Sequence, residues 1–224
     1  MPASAVLLSG GLDSMVLLAL ERRERGDVLP IHVRSGFAWE AAERRAIDRL
    51  LAHETMTVLS PLRALDVDMR DVYPPAHWAV AGQPPAFDTP DEDVYLEGRN
   101  IVLLSKAAIL CARLHIPRIA LGLLANNPFP DATEDFLSSM TRALSVGLNH
   151  ALEIATPLSQ MHKEDVIRLG VELGTPLELS VSCMNPAPGD LHCGACSKCR
   201  ERQHAFRDAA VRDPTHYLAR WTER

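Results

Sequence analysis

Short apolar runs alternate with amphipathic stretches along most of the chain, each closed by a turn. Ala5-Val6-Leu7-Leu8 reads as a buried strand, and a glycine turn leads into a helix from Ser14 to Arg25, which Gly26 ends. Val28 to Val33 is a second strand. Trp39 to His53 reads as a helix with Ala42, Ala46, Leu50 and Leu51 on its apolar stripe and Glu40, Glu43, Arg44, Arg45 and Asp48 on its exposed face. Thr57-Val58-Leu59 is a short third strand. A nearly all-apolar helix, covered on most sides, is expected from Ile101 to Leu114, and Cys111 falls in its core stripe with Leu103, Ala107 and Leu114. Then come a strand from Arg118 to Leu123, a helix from Phe136 to His150, a strand from Leu152 to Thr156, and a helix from Lys163 to Leu173 that stops at Gly174.

Strict alternation of strands and helices across short turns implies parallel strands with right-handed crossovers. The fold class is therefore α/β, an open doubly wound parallel sheet of five strands. Ligands of such sheets bind at the C-terminal ends of the strands. One connection is long: Leu65 to Gly98 carries Pro74, Pro75, Pro84, Pro85 and Pro90 and has no clear period, which marks a lid or binding loop. From Ser182 onward the texture changes to Cys, Gly, Pro and basic residues, followed by a terminal helix.

Composition narrows the function. The 224 residues, 47% hydrophobic and 23% charged, suit one globular domain with at most a small appendage. A net charge of −6 speaks against a broad grip on nucleic acid. The N-terminal apolar run has no preceding Lys or Arg and is cut short at Ser9-Gly10-Gly11, and no run approaches the ~20 residues of a membrane span. A cytoplasmic protein with reduced thiols is expected.

Two motifs carry chemistry. Ser9-Gly10-Gly11-Leu12-Asp13-Ser14 lies between a strand and a helix. Its glycines permit positive φ and leave room for phosphate oxygens, its amides and the helix N-terminus favour an anion, and Ser9 and Ser14 can donate to it. Asp13 beside a phosphate either holds Mg²⁺, the reading preferred here, or tethers the loop. The absence of Gly-Lys-Ser/Thr excludes a Walker loop. The second motif is Cys183, Cys193, Cys196 and Cys199, with nine, two and two residues between them. Four thiolates at this spacing close a tetrahedral structural zinc site, with Gly194 easing the tight knuckle. A redox pair or an iron–sulfur cluster would use the same residues, and His192 is a conceivable substitute ligand.

The hexapeptide resembles the signature of the ATP pyrophosphatase (PP-loop) superfamily, whose members split ATP into AMP and pyrophosphate. Both motifs together, in this order, resemble the 7-cyano-7-deazaguanine synthase family over about Ala3 to Phe206. Glu97-Gly98-Arg99-Asn100, Phe129-Pro130-Asp131, Pro157 with Lys163, and Ser182-Cys183 support the resemblance. It implies an ATP-dependent ligase forming a C–N bond, which turns 7-carboxy-7-deazaguanine and ammonia into a nitrile for queuosine and related deazapurines. It implies ATP with Mg²⁺ as cosubstrate and one structural zinc per chain. Its domains would be a nucleotide-binding part at 1–181 and a zinc knuckle with a C-terminal helix at 182–224, and its assembly a homodimer. Asp13, Arg99 and Lys163 would be catalytic, residues Ser9 to Ser14 would hold pyrophosphate, and Arg99, Asn100 and Asp131 would meet the substrate. Asp131 would either do so or cap the helix containing Phe136. The chain departs from the family pattern at 34–40, 132–133 and 181, positions expected to line the acceptor pocket. Competing readings are another carboxylate or a tRNA base as acceptor, and a nucleotide-binding module without catalysis.

Overall fold

In the computed structural model, which describes residues 2–56 and 59–219, five parallel strands run in the order β3-β2-β1-β4-β5. They are β1 (Ser4–Leu7), β2 (Val28–Arg34), β3 (Arg63–Asp66), β4 (Arg118–Ala120) and β5 (Glu153–Ala155). The helices are α1 (Leu12–Arg25), α2 (Glu40–Ala52), α3 (Trp78–Ala81), α4 (Arg99–Leu114), α5 (Glu134–Leu148), α6 (Lys163–Glu172) and α7 (Ser197–Asp208).

Side chains alternate across a strand, so β1 feeds two cores. Val6 joins α1, α2, α6 and α7 on one face, while Ala5 and Leu7 join α4 and α5 on the other. Both faces being covered, β1 and most of β2 read as continuous apolar runs. α1 is buried on nearly every side because α6 packs over it. At Gly170 of α6 a Cβ would lie 2.9 Å from Val16 and from Leu177, so glycine is what allows that approach.

A buried ion pair closes the sheet at the N-terminal ends of its strands. Arg118, opening β4, bonds Glu21 of α1 at 2.8 Å and Glu153 of β5 at 2.5 Å, and Glu21 is fully buried.

Several expectations need correction. The third strand is Arg63–Asp66; of the expected Thr57-Val58-Leu59, Thr57 and Val58 lie outside the described residues and Leu59 is in no strand. β3 pairs on one side only, and its largely exposed Arg-Ala-Leu-Asp has no apolar run to betray it. The apolar helix begins at Arg99, and it is not covered on most sides, since Ile101 and Ile109 are exposed. Its buried stripe is Leu104, Ala107, Ala108 and Cys111. β4 ends at Ala120, which frees residues 121–123 to line a cleft. Glu43 faces inward and is buried.

The long connection is folded. Its first residues, Leu65 and Asp66, end β3, and beyond them Met69, Tyr73, Trp78, Ala79 and Leu96 form an aromatic-rich cluster with Phe37 and Trp39. Trp39 stacks on Trp78 at 5.6 Å and on Phe37 at 5.2 Å. Arg200 of α7 bonds the carbonyls of Phe87 and Thr89 and the carboxylate of Asp91, which ties the connection to the C-terminal segment. That segment also enters the main core through Ala205 and Phe206. Among the described residues no helix is long and apolar enough to cross a membrane.

Candidate active site

The strand order reverses beside β1, where β2 leads one way and β4 the other. A crevice opens there at the C-terminal ends of the strands. It encloses about 230 Å³ and is lined by Ser9, Gly11, Asp13 and Ser14 of the loop, by His32, Glu43, Arg99 and Asn100, and by Tyr95, Phe129 and Asp131. A second recess continues it past Asp13, Glu43 and Arg99 to Lys163, Ser182, Lys198 and Glu201.

The loop is preorganised by its serines. Ser14 Oγ donates to the carbonyl of Gly11 at 2.9 Å and accepts from the Ser9 amide at 3.2 Å, and the two hydroxyls lie 3.2 Å apart. Gly11 is the N-cap of α1 and offers no side-chain cap. The amides of Leu12, Asp13 and Ser14, the first of the helix, have no carbonyl to bond within it and are presented to an anion. Of the two glycines only Gly10 has positive φ, at 76°. The space beside its Cα is filled by α2, because a Cβ there would sit 2.7 Å from the Glu43 carbonyl oxygen. Gly10 therefore serves helix packing rather than phosphate access.

Asp13 and Lys163 are brought together. Lys163 Nζ lies 2.6 Å from Asp13 Oδ2 and 3.1 Å from Glu201 Oε1, and Lys198 holds the other Glu201 oxygen at 2.5 Å. Burial works against the Lys163 charge, but the two carboxylates more than offset it and hold its pKa above the usual lysine range. Burial likewise penalises Glu201, and the Lys163 and Lys198 charges outweigh that and keep it ionised.

Arg99 and Asn100 open α4. The Asn100 amide donates to Asp131 Oδ2 at 3.0 Å and its side chain to the Asp131 carbonyl at 3.0 Å. Asp131 thus terminates α4 from outside, while Thr133 caps the helix containing Phe136 through its hydroxyl. Burial pushes the Asp131 carboxyl up, against the pull of its Asn100 bonds and the Arg99 charge.

The four cysteine sulfurs lie within 4.8 Å of one another, and no other such cluster of ligand atoms occurs among the described residues. Cys193 and Cys199 sulfurs are 3.9 Å apart and those of Cys196 and Cys199 3.5 Å, near the edge of about 3.8 Å that a tetrahedron of zinc–sulfur bonds requires. Amides of Asn185 and Cys193 point at the Cys183 sulfur and that of Ala195 at the Cys193 sulfur, a donor set suited to thiolates. The residues fit a metal. His192 is not a ligand: its Nε2 accepts from the Ser182 amide at 3.0 Å. Cys111 is fully buried in the core, where burial raises its thiol to about 12 and leaves it inert.

The cysteine segment is wired to the Ser9–Ser14 loop. From α7, which starts between Cys196 and Cys199, the buried Arg202 donates to the Leu177 carbonyl at 3.0 Å and to the hydroxyls of Ser180 at 2.8 Å and Ser182 at 3.1 Å. Within that stretch the Val181 amide donates to the Gly10 carbonyl at 2.9 Å.

Sequence reasoning missed Glu43, His32, Glu201 and Arg202. Two carried a signal. Glu43 continues the stripe of Trp39, Ala46 and Leu50 at helical spacing, and His32 interrupts an otherwise apolar buried strand. His32 Nδ1 bonds the Leu8 carbonyl at 3.0 Å, which fixes the proton there and leaves Nε2 as an acceptor; burial lowers its pKa.

The model of the family described as Queuosine biosynthesis protein QueC matches residues 3–210. The 7-cyano-7-deazaguanine synthase of Methanopyrus kandleri is 35% identical, with 97% of this chain and 100% of the relative covered. Its namesake in Xanthomonas campestris pv. campestris is 32% identical over 97% and 98%. Two solved structures share the fold at a TM-score of 0.50. One is a predicted subunit of a tRNA methyltransferase from Methanocaldococcus jannaschii, 15% identical over 98% of this chain and 93% of that one. The other is a 4-thiouridine synthetase–RNA complex with bound ATP, 18% identical over 93% and 51%.

Proposed function

The chain belongs to the QueC family of queuosine biosynthesis proteins, and from that premise we propose that it converts 7-carboxy-7-deazaguanine, ammonia and ATP into 7-cyano-7-deazaguanine through adenylated intermediates. One observation carries the siting of this reaction. Asp13 Oδ1, His32 Nε2 and Arg99 Nε are buried without a hydrogen-bond partner, and all three residues line the one cleft at the end of β1. Buried polar atoms left unpaired cost stability, so their convergence points to a polar ligand.

ATP lies with its phosphates on the Ser9–Ser14 loop, where the first amides of α1 and the two serine hydroxyls meet pyrophosphate oxygens. The substrate carboxylate, held beside Arg99, Asn100 and Asp131, attacks the α-phosphorus, and pyrophosphate leaves into the loop. Ammonia displaces AMP to give the amide. The amide oxygen then attacks the α-phosphorus of a second ATP, a second pyrophosphate leaves, and loss of AMP with both amide N–H protons yields the nitrile. Lys163 and Arg99 stabilise the charge on the departing phosphates, and catalysis rests on positioning and preorganised charge. Asp13 Oδ1, the oxygen Lys163 leaves unengaged, would hold Mg²⁺, which screens the phosphates. Val94, Tyr95 and Leu96 of the long connection wall the cleft and keep water from the adenylate.

The ion at the four cysteines is zinc in this reading, with every coordination position filled by thiolate and a structural role. The protein works in the cytoplasm, where its thiols stay reduced, and as a homodimer, a reading in line with the exposed apolar side chains of Ile101 and Ile109 on α4 and Val146 on α5. Incubation with 7-carboxy-7-deazaguanine, ammonium, Mg²⁺ and ATP is the test. Nitrile with AMP and pyrophosphate supports the reading; ADP as product, or no ATP consumed, overturns it.

A further inference from the structure

Glu43 occupies a place in the cleft that the mechanism above leaves unused. Its residue is 8% exposed, on the inward face of α2. One carboxyl oxygen accepts from the Trp39 indole at 3.1 Å, and the residue lines the cleft. Glu43 forms no ion pair among the described residues. It lines both the part of the cleft shared with Asn100 and Asp131 and the recess shared with Lys163, so it stands where nucleotide and acceptor meet.

Resting on the function read above, we propose that Glu43 binds the ammonium ion of the amidation and takes a proton from it beside the acyl adenylate. Ammonium needs both services. Its nitrogen has no free electron pair until a proton leaves, and a buried carboxylate discriminates a small cation from competing water. The proton passes to the Glu43 carboxylate. The released nitrogen pair forms the C–N bond at the acyl carbon, and the C–O bond to AMP breaks with its electrons leaving on the phosphate. The second N–H proton goes to the departing phosphate, and Glu43 returns its proton to solvent before the next turnover.

The surroundings poise the carboxyl for this exchange. Burial raises it to about 7, against the Arg99 charge and the Trp39 bond and together with the Glu40 charge. Around the same spaces stand Asp13 of α1, His32 of β2, Asp131 before α5, Lys163 of α6, and Lys198 and Glu201 of α7. Lys163 and Lys198 are neutralised by Asp13 and Glu201. Arg99, which lines both spaces, is the nearby charge that an entering ammonium meets beside Glu43.

Glu43→Gln keeps the acceptor for Trp39 and removes the base. Three rates are compared at pH 7: ATP–pyrophosphate exchange driven by 7-carboxy-7-deazaguanine without ammonium, kcat/KM for ammonium chloride, and kcat/KM for hydroxylamine, a nucleophile already neutral. The variant is expected to hold exchange and hydroxylamine use within about twofold and to lose on the order of 10²-fold in ammonium use. Equal losses with both nucleophiles, a loss of exchange, or unchanged ammonium use would each overturn the role. Absence of exchange in the unmodified protein would instead overturn the function on which the role rests.

Discussion

The ammonium group of Lys163 sits 2.6 Å from the Asp13 carboxylate, joining residues 150 positions apart at the mouth of the phosphate loop. Asp13 spends one oxygen on this pair and keeps the other buried and unpartnered. Under the proposed function the pair accounts for an acid beside the phosphates: Lys163 neutralises part of it, and the unpartnered oxygen is left for a cation. Asp13→Asn and Lys163→Met are each expected to lower kcat by about 10²–10³-fold, the usual scale for removing a preorganised charge. Steady-state AMP release measures this, with circular dichroism showing that both variants remain folded. Activity within a few-fold of wild type in either would remove that residue from the chemistry.

A second expectation concerns stability alone. Arg118 neutralises Glu21, which is fully buried, at the N-terminal ends of the strands, away from the cleft. Removing one partner of a buried pair strands the other charge, so Arg118→Met should cost about 3–5 kcal/mol in urea unfolding. The double change with Glu21→Leu should recover most of that loss, because the penalty lies in the orphaned charge rather than in the missing bond.

The metal should act at a distance. α7 leaves the cysteine cluster carrying Glu201, which holds Lys163, and Arg202, which holds the stretch that bonds Gly10. Purified protein is expected to contain one zinc per chain by mass spectrometry. Chelation or Cys199→Ser should lower Tm and weaken ATP binding in calorimetry together. A chelated protein with unchanged ATP affinity would uncouple the two sites.

Glu43 also sets a pH dependence. Its carboxyl titrates near 7 in the folded protein against a normal value of 4.5, so the folded state binds the extra proton between those limits. Stability is therefore favoured below pH 4.5 and declines as pH rises to about 7, by roughly 3 kcal/mol from this group. Glu43→Gln should flatten that part of the profile and be the more stable protein at pH 8. Denaturant midpoints at pH 5 and 8 would show it, and parallel profiles for variant and wild type would contradict it.

The sequence exposed most of the fold because both faces of the sheet are covered: β1 and most of β2 must be apolar, and the helices between strands must carry one apolar stripe. β3 escaped because an edge strand needs no such run. The two motifs were legible since each is local, the loop within six residues and the cysteines within seventeen. Lys163 was placed by family resemblance, yet its pairing with Asp13 and Glu201 depends on α6 and α7 meeting over α1, which no local pattern records. Glu43 was misread because its charge outweighed its position on the Trp39 stripe.

Adenylation at the loop is tested most directly by following oxygen. With 7-carboxy-7-deazaguanine labelled by ¹⁸O in both carboxylate positions, each of the two activations should pass one labelled oxygen to AMP, giving two singly labelled AMP molecules per nitrile and unlabelled pyrophosphate. Label in pyrophosphate or inorganic phosphate, or AMP without label, would contradict attack of the substrate on the α-phosphorus and the account built on it.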